Sequence, residues 1–306
     1  MRFTSIEDFV GKKDLFYSRY FDREPHIFKA AIPGPLDDIF SIADLDEALN
    51  FEALRSDYMI LAKQGELIPS HRYSRTIQVR DTPQVTYHNC VDPEKVRRLF
   101  HDGATIFWTG VNHFNSTVRR ISEIFAEELG VRVEGDIFLT PARTQGFVIH
   151  HDPFDTYIVQ LSGTKNWKVW PTPEERPKQW VSYDQKDMPE PVIEESLQPG
   201  DVLYIPYGTP HGPVAEEDTS LHMTFSAPPV MWSDKLESLV NAILQGDAEF
   251  RDRRYIFGRG EATDQSVEQA AEALIRKIRE AEGKKEILDR SSSDASIGSK
   301  MTSLFQ

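Results

Sequence analysis

The stretch from Gly146 to Trp170 constrains the fold of this chain most, because it joins a metal-ligand spacing to two strand patterns. One residue separates His150 from Asp152. The run from Tyr157 to Leu161 is rich in apolar and β-branched residues, which is typical of a buried strand. A Ser-Gly-Thr turn follows, and a second period-two segment runs from Lys165 to Val169. The stretch therefore predicts a short ligand-bearing strand followed by a β-hairpin.

The spacing of His150 and Asp152 places both side chains on one face of a strand, because side chains alternate between faces. His151 then points to the opposite face, and we interpret it as structural or as a residue at the rim, not as a ligand. An imidazole and a carboxylate on one face can share a metal ion, whose third ligand must come from elsewhere. The best candidate is His211, which a Pro/Gly-rich bend presents after an apolar strand. Two histidines and one carboxylate form the facial triad of non-haem Fe(II) oxygenases.

The residues around these ligands resemble the JmjC-type cupin oxygenases, and within them the ribosomal-protein hydroxylases. The resemblance runs from Gly103 to Ser226 and rests on the order and spacing of several short pieces. These pieces are Leu139-Thr-Pro-Ala142, Gln145-Gly146, His150-x-Asp152, Gln160-Leu-x-Gly-x-Lys165-x-Trp167, Pro199-Gly-Asp-x-Leu-Tyr-Ile-Pro206, Pro210-His211 and Ser220-Leu-His-Met-Thr-Phe-Ser226.

The resemblance implies a mainly β fold, a double-stranded β-helix (jelly-roll, cupin) barrel with flanking helices and C-terminal helices. It implies Fe(II) held by His150, Asp152 and His211, with 2-oxoglutarate as cosubstrate and O₂ as oxidant. The implied reaction is hydroxylation of an unactivated carbon in a peptide or protein side chain. The implied cosubstrate-binding residues are Lys165, Thr224, Ser226, Asp136, Tyr157 and His222.

Two of these positions carry charges that must be accounted for. The family uses a basic residue at the position of Lys165 to pair with the far carboxylate of 2-oxoglutarate, and a buried ammonium needs such an anion. Asp136 departs from the family pattern, which usually has asparagine there. An ionised carboxylate facing inward would repel an anionic cosubstrate, so three outcomes stay open for Asp136: it faces out, it is protonated, or it reaches a basic substrate.

Other functions remain compatible with the same residues. The enzyme could hydroxylate a free amino acid or a ribosomally made natural-product precursor, and we find no evident winged-helix domain of the kind that full-length ribosomal oxygenases carry. A metal cupin enzyme without 2-oxoglutarate would have no need of Lys165. A non-catalytic binding module that keeps the barrel is the third alternative, and the intact triad argues against it.

The composition of the chain limits the kinds of partner that we expect it to bind. The net charge of −14 argues against nucleic-acid binding by long-range attraction and suits a basic substrate, although simple solubility explains it equally. No stretch approaches the roughly 20 apolar residues of a membrane helix, so we expect no membrane partner. Cys90 is the only cysteine, which excludes an internal disulfide and fits a reducing cytoplasm.

We expect four regions along the chain: a helical and strand region at 1–103 that packs on the barrel, the barrel at 104–228, helices at 229–290 and a Ser-rich tail at 291–306. A helix is predicted from Asn115 or Ser116 to Leu129, and another opens at Ser266 with a capping box. Helices after the barrel form a dimer interface in the family, so the resemblance implies a homodimer, and packing on the chain's own barrel is the alternative. The apolar stripe involved is Val267, Ala270, Ala271, Leu274, Ile275 and Ile278.

Overall fold

The computed structural model describes residues 2–78, 85–173, 176, 179–250 and 264–282. Its strands are β1 His26–Phe28, β2 Met59–Lys63, β3 Glu66–Ile68, β4 Ser74–Gln78, β5 Thr86–Val91, β6 Thr105–Trp108, β7 Glu134–Thr140, β8 His150–His151, β9 Asp155–Ser162, β10 Lys165–Val169, β11 Val181–Ser182, β12 Ile193–Leu197, β13 Val202–Ile205, β14 His211–Ala215 and β15 Ser220–Ala227. Its α-helices are α1 Glu7–Val10, α2 Lys13–Leu15, α3 Ile42–Leu49, α4 Pro93–His101, α5 Ser116–Leu129, α6 Trp232–Gly246 and α7 Asp264–Glu282.

The strands form two main antiparallel sheets. The larger has eight strands in the order β1-β13-β9-β15-β7-β6-β2-β3, and the smaller has five in the order β11-β8-β14-β10-β12. Strands β4 and β5 make a separate two-stranded sheet. A mainly β jelly-roll fold with flanking helices, as predicted, is confirmed. Because β1, β2 and β3 join the large sheet, the barrel wall draws on residues before 103, and the predicted four-part division stays a prediction.

The predicted hairpin from Tyr157 to Val169 is wrong in its pairing. Strand β9 pairs with β13 and β15 in the large sheet, whereas β10 pairs with β12 and β14 in the small one. The turn between them therefore crosses from one sheet to the other, and Gly163 makes it at a φ of 62°. A Cβ at Gly163 would lie 2.1 Å from the carbonyl oxygen of Thr219, so only glycine fits this corner. The crossing places Lys165 on the sheet opposite β9.

Helix α5 covers the outer face of the large sheet. Asn115 caps its first turn by accepting from the backbone N–H groups of Thr117 and Val118, and Gly130 ends it in the left-handed conformation. Its apolar stripe is buried, and the Phe125 ring stacks on Phe225 with centroids 5.3 Å apart. The helix predicted here is confirmed. One face of β9 and β15 is thus sealed by core side chains, and the other face is left to a cavity.

By its internal contacts the chain divides into two units, the first ending at Pro229 and the second beginning at Val230. The second unit contains α6 and α7, and Lys277 of α7 pairs with Asp247 at 2.7 Å. The helix predicted to open at Ser266 begins at Asp264, while the predicted Ser-rich tail at 291–306 lies outside the described residues. None of the helices in the described part of the chain has the length and apolarity to span a membrane.

Candidate metal centre

The three predicted ligands come together where β8 and β14 pair within the small sheet. Strands β8 and β14 are neighbours in which His150 lies directly opposite His211, and Asp152 follows β8. The ligand atoms of the three side chains all lie within 4.8 Å of one another. Oδ2 of Asp152 is 3.8 Å from Nε2 of His150 and 3.5 Å from Nε2 of His211. The register of β8 and β14 therefore brings His211 close to His150, just as the one-residue spacing brings Asp152 close to His150.

Both imidazoles are oriented by the backbone. Nδ1 of His150 lies 2.8 Å from the carbonyl oxygen of Val148, and Nδ1 of His211 lies 3.0 Å from that of Thr209. A carbonyl only accepts, so Nδ1 of each ring carries the proton and Nε2 keeps its lone pair. Both lone pairs face the Asp152 carboxylate. This is the tautomer that a metal-binding imidazole needs.

The protonation states of these groups also suit a cation. Burial lowers the pKa of His211 to about 3, and the charge of His150 acts in the same direction, so His211 is neutral. Burial raises the pKa of Asp152, against the opposing effect of His150 and His151. A buried carboxylate beside the neutral imidazole of His211 gains from a divalent ion.

His151 does not join this group. Its side chain is fully buried, with Nε2 donating to the carbonyl oxygen of Gln179 at 2.6 Å and Nδ1 accepting from the Tyr183 hydroxyl at 2.7 Å. Both ring nitrogens are thus used on the face of β8 that points away from His150. The structure places His151 where the alternation of a strand predicts it.

A cavity of about 650 Å³ adjoins the three ligands and is lined from both sheets. Alternate residues of β7 mark its length, from Glu134 through Asp136 and Phe138 to Thr140. Thr140 and Asp136 are separated by about 13 Å along the strand, at roughly 3.3 Å per residue. Glu134 lies beside Arg132, whose side chain is 64% exposed, and this side of the cavity is its mouth.

The end of the cavity far from the mouth, here called the lysine end, consists of Lys165, Thr140 and His222. Lys165 is only 3% exposed, and its Nζ donates to Oγ1 of Thr140 at 2.9 Å. Nζ also lies 3.5 Å from Nδ1 of His222. No carboxylate of the described residues forms an ion pair with Lys165, and burial lowers its pKa to about 7. A buried amine without a counter-ion requires an anion to become fully charged.

His222 ends a ladder of three stacked rings. Its ring lies 4.8 Å from that of Phe138 at an angle of 6°, and Phe138 lies 4.4 Å from Phe107 at 20°. The three residues are direct neighbours across β15, β7 and β6. Burial, together with the charge of Lys165, holds the pKa of His222 well below its usual value. A neutral His222 adds no second positive charge to the lysine end.

The other polar end of the cavity, here called the carboxylate end, contains Asp136, Thr224 and Ser226. Asp136 faces inward and is 7% exposed. Its Oδ1 accepts from the backbone N–H of Gly110 at 2.9 Å, and the side chains of Thr109 and Ser226 also hydrogen-bond to it. Burial raises the pKa of Asp136 to about 6, so the group is largely ionised at neutral pH. Of the three outcomes left open for Asp136, facing out is excluded.

Register assigns the remaining predicted residues to these two ends. Thr224 lies directly opposite Asp136, and Ser226 opposite Glu134, so both belong to the carboxylate end. Their predicted contact with the cosubstrate stays a prediction, as does that of Lys165 and His222. Thr156 of β9 lies beside Ser226, and its Oγ1 is buried without a hydrogen-bond partner among the described residues.

Tyr157 is a correction. Thr156 and Ile158 line the cavity, so the residue between them points to the opposite face of β9. There Tyr157 is fully buried, with its ring 4.6 Å from that of Phe125 on helix α5. The predicted contact between Tyr157 and the cosubstrate is wrong, because core side chains fill the space around it.

Sequence reasoning missed two residues that contact or cover the site. Thr140 shares the face of β7 with Asp136 and Phe138, and period two along the Leu139-Thr-Pro piece would have found it. Trp180 also lines the cavity, with its ring 5.6 Å from that of His150, and the residue is 51% exposed. No pattern around Trp180 in the sequence marks it, because its position depends on β11 pairing with β8.

An antiparallel barrel with two histidines and a carboxylate beside a cavity that ends in a buried lysine fits a JmjC-type cupin. The comparisons agree: residues 110–234 match the family model described as JmjC domain. Ribosomal oxygenase 1 of Homo sapiens is 29% identical over 248 residues, which are 78% of this chain and 37% of the human protein. The predicted resemblance is confirmed.

A second curated relative comes from Drosophila simulans, the bifunctional lysine-specific demethylase and histidyl-hydroxylase NO66. It is 31% identical over 159 residues, which are 50% of this chain and 19% of the relative. The chain thus spans well under half of the length of these curated relatives. Among solved structures, YcfD, a ribosomal oxygenase from Escherichia coli in complex with cobalt and 2-oxoglutarate, superposes with a TM-score of 0.55 at 18% identity. That match covers 89% of this chain and 67% of the other and shows a common fold.

Proposed function

We propose that this protein is an Fe(II)- and 2-oxoglutarate-dependent oxygenase that hydroxylates an unactivated carbon in a basic side chain of a peptide or protein. One observation carries the proposal: the three ligand atoms within 4.8 Å of one another adjoin a cavity that ends in a buried lysine, which has no carboxylate partner among the described residues. A metal site alone would fit many cupins. The lysine adds the need for an anionic cosubstrate.

The residues present fit both groups. His150, Asp152 and His211 would hold the iron through one face, which leaves positions for a chelating keto acid and O₂. When bound, the iron supplies the activation of O₂, coupled to the conversion of 2-oxoglutarate into succinate and CO₂. Lys165 would hold the far carboxylate of the cosubstrate at the lysine end. The stacked rings of Phe107, Phe138 and His222 line one wall of the same cavity.

The carboxylate end supports the assignment of the substrate class. Asp136 is about 13 Å along β7 from Thr140, so it does not neutralise Lys165 and does not repel the far carboxylate of the cosubstrate. An ionised group with three hydrogen-bond donors of its own still attracts a cation from the mouth. Two relatives carry ribosomal oxygenase, lysine demethylase and histidyl-hydroxylase in their names, and lysine and histidine are both basic. We therefore infer a lysine, arginine or histidine side chain as the target.

Replacement of Asp136 by asparagine is expected to lower kcat/KM for peptides with a basic target by about tenfold to a hundredfold. Loss of a charge-assisted hydrogen bond to a buried carboxylate has this size. The Kd of 2-oxoglutarate should change by less than about twofold, because the lysine end is distant. Mass spectrometry of a peptide array with single arginine, histidine or lysine positions measures the first effect. Peptides with glutamine at the same positions are the control, and a shift confined to 2-oxoglutarate binding would place Asp136 in the cosubstrate site instead.

The function itself is tested by anaerobic titration of the apo protein with Fe(II) and then 2-oxoglutarate. We expect a weak visible charge-transfer band to appear when the keto acid chelates the metal. Binding of iron without this band would indicate a metal cupin of another reaction class. Failure to bind iron would indicate a binding module that keeps only the barrel.

Binding of 2-oxoglutarate is expected to weaken as pH rises above about 7. Burial lowers the pKa of Lys165 to about 7, so above that pH the ligand-free amine is neutral and must take up a proton as the carboxylate binds. The Kd should rise by up to about tenfold per pH unit above this value and stay flat below it. Titrations between about pH 6 and about pH 9 at saturating iron measure this effect. The Lys165→Arg variant, whose guanidinium stays charged, should show no such rise; a wild-type Kd independent of pH contradicts the assignment.

We further propose a homodimer formed through the C-terminal helices and a cytoplasmic location. The stripe on α7 supports the dimer, since Ala270, Ala271 and Ile275 are exposed while Leu274 and Ile278 are half-buried. The free, buried Cys90 is compatible with a reducing compartment. Light scattering of the wild type and of an Ile275→Glu variant tests the dimer, and cell fractionation tests the location.

A further inference from the structure

We infer that Thr105 is a positioning residue for the cosubstrate, acting through Thr140 on the carboxylate-binding donors at the lysine end. This inference rests on the proposed function. Thr105 stands on β6, beside Thr140 of β7, and is 1% exposed. Its hydroxyl donates to Oγ1 of Thr140 at 3.2 Å. Since Lys165 donates to the same oxygen at 2.9 Å, Thr140 links the two residues.

The hydrogen bonds that Thr140 accepts determine where its own hydroxyl proton can point. A hydroxyl oxygen accepts through two lone pairs and donates one proton. Both acceptor positions of Thr140 are taken, by Lys165 and Thr105, so its proton is turned towards another acceptor. Thr140 lines the cavity, and an anion there is the acceptor that fits.

Lys165 completes the arrangement. Its ammonium has three N–H groups, of which one points to Thr140 and one to Nδ1 of His222. The third is left for a ligand in the cavity. One N–H of Lys165 and the O–H of Thr140 then converge on a single site, which suits the two oxygens of a carboxylate.

The position of Thr105 is fixed from its other side by Gly146. A Cβ at Gly146 would lie 2.4 Å from Oγ1 of Thr105, so the glycine is what leaves room for the hydroxyl. Gly146 is itself held by the turn after β2, where the N–H of Gly65 donates to its carbonyl oxygen at 2.9 Å. The hydroxyl of Thr105 thus lies between a fixed backbone and Thr140.

The test is the Thr105→Val variant, which keeps the shape of the side chain and removes its hydroxyl. We expect the Kd of 2-oxoglutarate, measured anaerobically with Fe(II), to rise about fivefold to tenfold, the size of one lost hydrogen bond. The affinity for Fe(II) alone should not change. Thr105→Ser, which restores the hydroxyl, should return the Kd to within about twofold of the wild type.

A second ligand separates positioning from general damage. 2-Oxopentanoate keeps the keto acid that chelates the metal but has a methyl group in place of the far carboxylate. Its Kd should be the same for the wild type and Thr105→Val, because the donors at the lysine end do not touch it. Equal weakening of both ligands, or no weakening of 2-oxoglutarate, overturns the inference.

The Gly146→Ala variant places a methyl group against the Thr105 hydroxyl from another segment of the chain. We expect it to show the same selective loss of 2-oxoglutarate affinity. It keeps the test decisive if Thr105→Val does not fold. A wild-type protein that binds iron but neither keto acid would overturn the proposed function. Normal wild-type binding with unaffected variants overturns only the role of Thr105.

Discussion

Replacement of His150 by alanine is expected to abolish both Fe(II) binding and 2-oxoglutarate turnover. The variant loses one of three ligands, and the remaining pair, Asp152 and His211, cannot define one face of an octahedral ion. Loss of an outer-shell partner alone typically lowers metal affinity by about 10- to 100-fold, so loss of a ligand should exceed that range. Calorimetric titration with Fe(II) under argon and succinate production measure the two effects.

The matched control is His151→Gln on the same strand. His151 is more deeply buried than His150 and hydrogen-bonds to Gln179 and Tyr183 on the opposite face, so its replacement should affect thermal stability and leave iron binding intact. Near-normal succinate production by His150→Ala would refute the metal centre. Loss of iron binding in both variants would point to a general loss of the fold, which circular dichroism would reveal.

Replacement of Lys165 by methionine is expected to raise the Kd of 2-oxoglutarate by at least about a hundredfold while iron still binds. Removing one member of a buried ion pair costs about 3 to 5 kcal/mol, because the other charge is left unpaired. The ligand-free variant should also be more stable than the wild type, since a buried amine without a carboxylate partner among the described residues is replaced by an apolar side chain of similar length. Anaerobic titration and thermal melts without ligand measure these opposite changes.

Lys168→Met is the control for this variant. Lys168 lies on the same strand but is half-exposed, and it pairs with Glu194 at 2.8 Å. Its removal should leave the Kd of 2-oxoglutarate unchanged and alter stability by no more than about 1 kcal/mol. If both lysine variants bind 2-oxoglutarate as the wild type does, the lysine end is not the site of the far carboxylate.

Two of the metal ligands, His150 and Asp152, were predictable because the geometry that joins them is local. A spacing of one residue on a strand fixes His150 and Asp152 on one face without any knowledge of the fold. His211 needed more, since only the pairing of β8 with β14 brings it opposite His150. The Pro/Gly-rich bend and the resemblance both pointed to His211, but neither gave this pairing.

Tyr157 was assigned to the wrong face of its strand, because the sequence does not show which face of β9 meets the cavity. Every residue from Asp155 to Leu161 is buried, because one face of β9 meets the core and the other meets the cavity. A strand buried on both faces has no polar alternation from which to tell the two faces apart. The pairing of β9 and β10 with different sheets was equally invisible, because a tight Ser-Gly-Thr turn suits both a hairpin and a corner.

The hydrogen-bond partners of Asp136 and Thr105 could not be predicted from the sequence, because they depend on tertiary contacts. Alternation with Thr140 would have put Asp136 on the cavity face, but its hydrogen bond to Gly110 comes from the turn after β6. Thr105 looks like any β-branched residue of a buried strand. Its partner across the sheet, and the glycine that makes room for it, appear only once the strands are in register.

The order of the two polar ends along the cavity has a kinetic consequence. Along β7 the carboxylate end lies next to Glu134 at the mouth, and the lysine end lies at Thr140, at the other end of the strand. A basic side chain seated against Asp136 would block the route to Lys165. The proposed function therefore predicts ordered addition, in which the keto acid binds first and the side chain second, and the modified side chain departs before succinate.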